Sequence, residues 1–528
     1  MLDLSQLRQA IRHENGVSRR LFLAYAASLS ALPWIGRRAS GEARRPAFST
    51  DPFRVGLASG DPSDNGFVVW TRLAPEPLDP TGGMPPENVT VAWEIADDET
   101  MNRVLRRGDA VATPQLGHSV HIEVEGLRPD RWYWYRFRAG DAESPIGRTR
   151  TLPTAGSLPN ELRFAVASCQ HYETGHYTAY QHMAEEELDL VFHLGDYIYE
   201  YGGEDGRVRK HVGGEIEALD DYRIRHSQYK TDPHLQAMHA RCPWLVTWDD
   251  HEVDNNYAND ICEEERVDPA VFLVRRANAY QAYYENMPLR RTSLPSGPSM
   301  QLYRKVAFGQ LAEFNILDTR QYRTNQPNFD GICDINDAAC DPQNTMLGNE
   351  QRGWLEESLQ KSAATWNVLA QQVMMGMVDV EPGPAKRYFM DEWPGYIHER
   401  RQLLKSIADH RVSNPIVLTG DYHANWVNNL RLDDRRPDLP VVATEFVGTS
   451  ISSEGDGARF PRHWQETLAE NPCVRFFNQE RGYIRCRVTP RLLTTDYRTL
   501  PFVTRPGAPI LTRASYVVES GKAGAEPA

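Results

Sequence analysis

Apolar positions along this 528-residue chain follow two rhythms. Between Phe53 and Thr151 they alternate with polar ones in short runs such as Gly66-Phe67-Val68-Val69-Trp70-Thr71-Arg72 and Val89-Thr90-Val91-Ala92-Trp93-Glu94-Ile95. Proline, glycine and aspartate separate the runs, and this alternation predicts half-buried β-strands. The stretch 149–159, holding Pro153, Gly156 and Pro159, reads as a linker. Beyond it, continuous apolar runs predict buried strands over 163–168, 190–194, 244–248, 312–317, 366–370 and 416–419. Helical patterns lie over 177–187, 270–286, 349–362 and 399–410, the last two with apolar residues at helical spacing. Strands alternating with helices indicate an α/β domain. After Leu430 the pattern is again β-like, and 521–528 is expected to be a loose tail.

Gly126-Leu127-Arg128-Pro129-Asp130 precedes the aromatic run Trp132-Tyr133-Trp134-Tyr135-Arg136-Phe137. A turn feeding such a strand is found near the sixth strand of immunoglobulin- or fibronectin-like sandwiches. The expected organisation is a leader region over 1–45, an all-β sandwich over 46–152, an α/β domain over 160–505 and a C-terminal segment over 506–528. His118 and His121 are read as residues of one strand face rather than as ligands.

Composition narrows the function. With 41% hydrophobic and 25% charged residues the chain is ordinary for a globular protein. Its net charge is −14, yet residues 1–45 hold eight arginines against Asp3, Glu14 and Glu42. The acidic body argues against a nucleic-acid backbone as partner and is compatible with cations. Ser18-Arg19-Arg20-Leu21-Phe22-Leu23 opens an uncharged, moderately apolar stretch that ends at Gly36, shorter than the roughly 20 strongly apolar residues of a membrane span. It reads as a twin-arginine export signal cleaved within 39–47; an amphipathic basic helix of the mature protein is the plainer alternative. Such a signal implies the export machinery as a partner, a periplasmic or extracellular destination and no transmembrane anchor in the mature protein. Of the seven cysteines one must lack an intramolecular partner; Cys333–Cys340 is the expected disulfide and Cys473–Cys486 a weaker pairing.

The candidate chemistry lies where the α/β strands end. Leu190-Val191-Phe192-His193-Leu194 runs into Gly195-Asp196-Tyr197-Ile198-Tyr199, and Phe164-Ala165-Val166-Ala167-Ser168 into Cys169. Trp244-Leu245-Val246-Thr247-Trp248 leads to Asp249-Asp250-His251-Glu252, with Asn255 and Asn256 close behind. Ile416-Val417-Leu418-Thr419 leads to Gly420-Asp421-Tyr422-His423, and Phe314-Asn315-Ile316-Leu317 to Asp318-Thr319-Arg320. Ligand sites in α/β sheets form beyond the carboxyl ends of strands, and one capped strand end is commonplace where five or six are not. Thiolate, phenolate and imidazole suit iron, whereas carboxylates and amide oxygens suit calcium, magnesium or manganese. A carboxylate shared by two ions holds them about 3.5–4 Å apart, the spacing of two-metal hydrolases. Arg320 and Arg323 are either phosphate clamps or partners in structural ion pairs. His171, Tyr172 and His176 are candidate lining residues, and Tyr197 reads as packing.

The order Cys, Gly-Asp-x-x-Tyr, Asp-His-Glu, Gly-Asp-x-His resembles the PhoD family of alkaline phosphatases and phosphodiesterases. That family is a branch of the calcineurin-like metallophosphoesterases, related to purple acid phosphatases. Trp248-Asp249-Asp250-His251-Glu252, Leu317-Asp318-Thr319-Arg320-Gln321-Tyr322-Arg323 and the twin arginines fit the same pattern. The resemblance implies a metallophosphoesterase domain, a βαβαβ-type β-sandwich flanked by helices, behind the N-terminal sandwich. It also implies Fe3+ held by Cys169, Asp196, Tyr199 and His423, and Ca2+ reached by a bridging Asp196 with Asp250 and Asp421, Asn255 or Asn256 lying nearby. Alternatively Asp421 is the iron ligand and His423 stands behind it. His251 is the candidate proton donor. The function so implied is an exported phosphoric ester hydrolase acting on small mono- or diesters. A phosphodiesterase acting on lipid headgroups or phosphate polymers keeps the same site, and a secreted binding protein with a vestigial site is the reading from another class.

Overall fold

The computed structural model describes residues 48–528 except 265 and 382, so the twin-arginine stretch lies outside the described residues. Two large sheets face each other. One has ten strands, and its centre is the parallel set Leu162–Ala167, Leu190–Leu194 and Trp244–Thr247. The other has seven, centred on the parallel strands Ala312–Ile316, Trp366–Ala370, Pro415–Thr419 and Ala443–Val447.

Alternation along each strand explains the layering. Phe164, Val166, Phe192 and Leu194 of the first sheet pack against Phe314, Val368 and Leu418 of the second. The opposite faces, with Ala165, Val191 and Val246, or Leu369 and Val417, are covered by helices. Thr178–Met183, Leu219–Lys230, Pro233–His239 and Pro269–Asn286 cover the first sheet; Gly348–Lys361 and Ile397–Asp409 cover the second. Both faces of each central strand are therefore buried, which is why these strands read as unbroken apolar runs.

The N-terminal part is a two-layer β structure around Leu57, Phe67, Val91, Ile95, Tyr135 and Phe137. The Tyr133 hydroxyl turns back onto Arg128, donating to its carbonyl and accepting its N–H, both at 3.0 Å. One of the two layers, Leu57–Gly60, Phe67–Arg72 and Ser119–Val124, continues the ten-stranded sheet through the pairing of Gly60 with Trp244. A Cβ on Gly60 would stand 2.5 Å from the Pro288 carbonyl oxygen, so only glycine permits this approach. A continuous sheet thus crosses the boundary expected between 152 and 160.

Two expectations are corrected. Residues 521–528 are not a loose tail: Glu526–Pro527 pairs with Leu511–Glu519 at the sheet edge, and Ala525 is buried with its N–H on Asn429 at 2.8 Å. All seven cysteines are free thiols. Cys333 pairs along a short strand with Tyr388, Cys340 lies exposed in a turn, and Cys473 and Cys486 are buried in separate apolar clusters.

Candidate metal centre

Three neighbouring parallel strands deliver Cys169, Asp196 and the Asp249-Asp250 pair to one edge, and the facing sheet delivers Asp421 and His423. The backbone at these points is unusual. Cys169, Asp196, Asn256, Asp421 and His423 all adopt left-handed φ, between 48° and 58°. Non-glycine residues take that conformation at a cost, and such residues cluster where function requires it. Glu252 helps hold the arrangement: its carboxylate accepts the N–H groups of Asp196 (3.1 Å), Tyr197 (2.6 Å) and Asp249 (2.8 Å). Gly195, at φ 109°, lets the two strand ends meet, because a Cβ there would lie 2.4 Å from that of Asp249.

The side chains form overlapping groups. Ligand atoms of Cys169, Asp196 and His423 lie within 4.8 Å of one another, as do those of Asp249, Asp250 and Asp421. A third group, Asp196, Asp250 and His251, joins them, so Asp196 belongs to two groups. The Tyr199 hydroxyl donates to Asp196 Oδ2 at 2.7 Å and lies 3.2 Å from His423 Nε2 and 2.7 Å from Ser453 Oγ. His251 stacks on the Tyr199 ring, centroids 4.1 Å apart, and its Nδ1 is 2.8 Å from Glu200 Oε2.

The electrostatics call for positive charge. Asp196 Oδ1, Asp249 Oδ2 and Asp250 Oδ1 are buried with no hydrogen-bond partner. Buried polar oxygens are rarely left so, because each forfeits its hydration. Burial, then Asp196 and Asp421, push the Cys169 thiol well above its ordinary value. Burial and the Asp249 and Glu392 charges raise Asp421, and burial lifts Asp249 to about 7 against the pull of Arg320. Against its burial, Glu200 and Asp250 hold the His251 imidazole above its ordinary value. One thiol, one phenol and one imidazole beside Asp196, and three carboxylates beyond it, form two donor sets of different character, each able to hold a cation.

The structure thus brings together Cys169, Asp196, Tyr199, Asp250, His251, Asp421 and His423. Asn256 touches the group through its backbone, its N–H on Asp250 Oδ2 at 2.7 Å, whereas the Asn255 amide donates to Glu263 at 2.8 Å. Arg320 lies among the carboxylates. It is fully buried, donates to Asp249 and Asp391, and stands 3.7 Å from Asp250. Arg323 is likewise buried and bound to Asp391 at 2.7 Å. Both guanidiniums are buried, and Arg320 Nη2 and Arg323 Nη2 have no hydrogen-bond partner among the described residues. His171 sets its ring edge-on to Tyr199 at 4.4 Å, while Tyr172 lies under Arg209. Sequence reasoning left out Asp249, although it stands in the quoted Asp-Asp-His-Glu run, and also Glu200, Glu252 and Ser453. Ser453, which donates to the Cys169 carbonyl at 2.7 Å, has no local signal at all.

Known proteins resemble this chain along most of its length. The family model for the PhoD-like phosphatase matches residues 164–497, and that for the PhoD-like phosphatase N-terminal domain matches 38–153. Alkaline phosphatase D of Bacillus subtilis (strain 168) is 51% identical over 484 residues, 91% of this chain and 83% of the relative. A solved structure described as "Structure of PhoD" superposes with a TM-score of 0.89 at 51% identity, covering 91% of this chain and 93% of that one. The chain belongs to the PhoD-like phosphatase family.

Proposed function

We propose that this phosphatase is an alkaline phosphatase with phosphodiesterase capability, working through two unlike cations held at the shared strand edge. The supporting observation is the set of buried, partnerless oxygens of Asp196, Asp249 and Asp250 beside Cys169. Cys169, Asp196, Tyr199 and His423 would hold Fe3+. Asp250 and Asp421, with Asp249 added, would hold Ca2+, and Asp196 would serve both ions. Such ions supply Lewis acidity toward water and phosphoryl oxygens.

The remaining roles belong to the chain. Arg320, between Asp249 and Asp391, keeps three buried carboxylates in place. Glu200 fixes the His251 ring through Nδ1, leaving Nε2 to give a proton to the leaving oxygen. The N-terminal layers are read as an immunoglobulin-like sandwich, which the Tyr133 corner supports. The two facing sheets with outer helices are read as a calcineurin-like metallophosphoesterase core. Export by the twin-arginine route rests on Arg19-Arg20 and the weakly apolar stretch after them. Among the described residues no helix is long and apolar enough to cross a membrane.

The test is turnover of p-nitrophenyl phosphate and of its bis-ester before and after chelation. Loss of both activities, restored by iron with calcium, is expected. Undiminished turnover in fully chelated protein would overturn the metal reading.

A further inference from the structure

Phe329 is 81% exposed, the most exposed of the large apolar side chains, and among the described residues it joins no apolar cluster. It is not on a slack loop. Asn328, Phe329 and Asp330 are three consecutive left-handed residues, at φ 58°, 56° and 53°. Asparagine and aspartate tolerate that conformation, but a bulky aromatic does so rarely. The turn is fixed from several sides. Asn328 and Asn336 exchange amide hydrogen bonds at 3.0 and 3.2 Å, and the Gly331 carbonyl accepts from the Met390 N–H. Phe329 is therefore held in a strained backbone conformation while its ring stands largely exposed.

The turn is joined to the carboxylate group on two sides. Asp330 accepts the side-chain amide of Asn256 at 3.0 Å, and the Asn256 N–H is on Asp250. Gln326 donates both to the Asn256 carbonyl (2.6 Å) and to Asp391, the partner of Arg320. On the other side Tyr422, next to Asp421, meets the half-buried Phe389 edge-on at 5.7 Å. Phe389 is the strand partner of the exposed Ile332, three residues beyond Phe329.

We infer that this lobe is the subsite for the ester's organic group, with Phe329 as the specificity-determining residue for esters that carry a planar aromatic ring. Ile332, Phe389 and Tyr422 offer apolar and π surface on the Asp421 side, and Phe329 offers an exposed ring on the turn tied to Asp250; a flat ring stacks well on such groups. The cation that Asp250 and Asp421 would hold takes the phosphoryl end, and the organic group then falls towards this lobe. The inference rests on the proposed function, in which Asp250 and Asp421 hold the cation facing the phosphoryl group.

Calorimetric binding of phenylphosphonate and methylphosphonate to the metal-loaded full chain tests it without turnover. Wild-type protein is expected to prefer phenylphosphonate by roughly tenfold. Phe329→Ala is expected to erase that preference while methylphosphonate binding and metal content stay unchanged, and Phe329→Tyr to keep it. Phe329→Gly relieves the left-handed strain, so it is expected to melt no lower than wild type and still to lose the preference. Equal wild-type affinities, or a preference that survives in Phe329→Ala, would overturn the inference. So would a lower melting point in Phe329→Gly with the preference intact, since the ring would then serve folding. If metal-loaded protein binds neither phosphonate, the phosphoryl site itself fails, a result distinct from equal affinity.

Discussion

Arg320 shows how one residue changes meaning between sequence and structure. Beside a run of acids it reads as either clamp or ion-pair partner, and the fold buries it between Asp249, Asp250 and Asp391. Removing one member of a buried charge group leaves the others uncompensated. Arg320→Ala is therefore expected to cost about 3–5 kcal/mol of stability, measured by denaturant unfolding. A residue that only clamped substrate would raise KM and leave the unfolding midpoint unmoved. The residues legible in the sequence were those that end an apolar run: Cys169, Asp196, Asp250 and Asp421. Glu252 and Ser453 were not, because their partners are made only when strands distant in sequence become neighbours. Ser453 lies 284 residues from the Cys169 carbonyl it binds.

At the scale of elements, the central strands were easy to place. A parallel strand buried on both faces must be apolar throughout, and 190–194 and 366–370 coincide with the strands Leu190–Leu194 and Trp366–Ala370. Helix ends moved by a few residues, most at Thr178–Met183, where expectation ran on to 187. What sequence rhythm cannot carry is which strand lies beside which. The Leu57–Gly60 strand looked like part of a separate sandwich, yet Gly60 lets it approach Trp244 and extend the catalytic sheet. The C-terminal residues misled for a related reason: the glycines and proline of 521–528 suggest a tail, while a waiting sheet edge recruits Glu526–Pro527. The site depends on such non-local meetings, above all the approach of Gly195 to Asp249.

For the whole molecule, buried bases make stability depend on pH. Burial lowers His121 to about 4 and His193 and His211 to about 3. The unfolded chain takes up those protons near pH 6.5 while the fold refuses them, so stability falls as pH drops from about 6.5 towards 3. Lys230 acts in a higher window. It is buried against Tyr197 and Trp70, with no carboxylate partner among the described residues, and burial lowers it to about 7. Below about pH 7 the fold bears the full cost of a buried charge. Between about 7 and 10 the folded protein has released the proton that the unfolded chain keeps, so this group adds up to about 1.4 kcal/mol of stability per pH unit. Buried cysteines work in the opposite sense above about pH 8.5, so the Lys230 share is isolated by comparison with a variant. Lys230→Met is expected to gain most over wild type near pH 7 and progressively less towards pH 10, measured by unfolding at a series of pH values. A constant difference would remove Lys230 from the account.

In the proposed centre two unlike cations share the strand edge through Asp196, with Cys169 among the ligands of only one of them. Elemental analysis of wild type and Cys169→Ser, each purified from the same expression host, tests this most directly. About one iron with calcium is expected in the wild type, and loss of iron with calcium retained in the variant. Iron bound equally well by Cys169→Ser would contradict it.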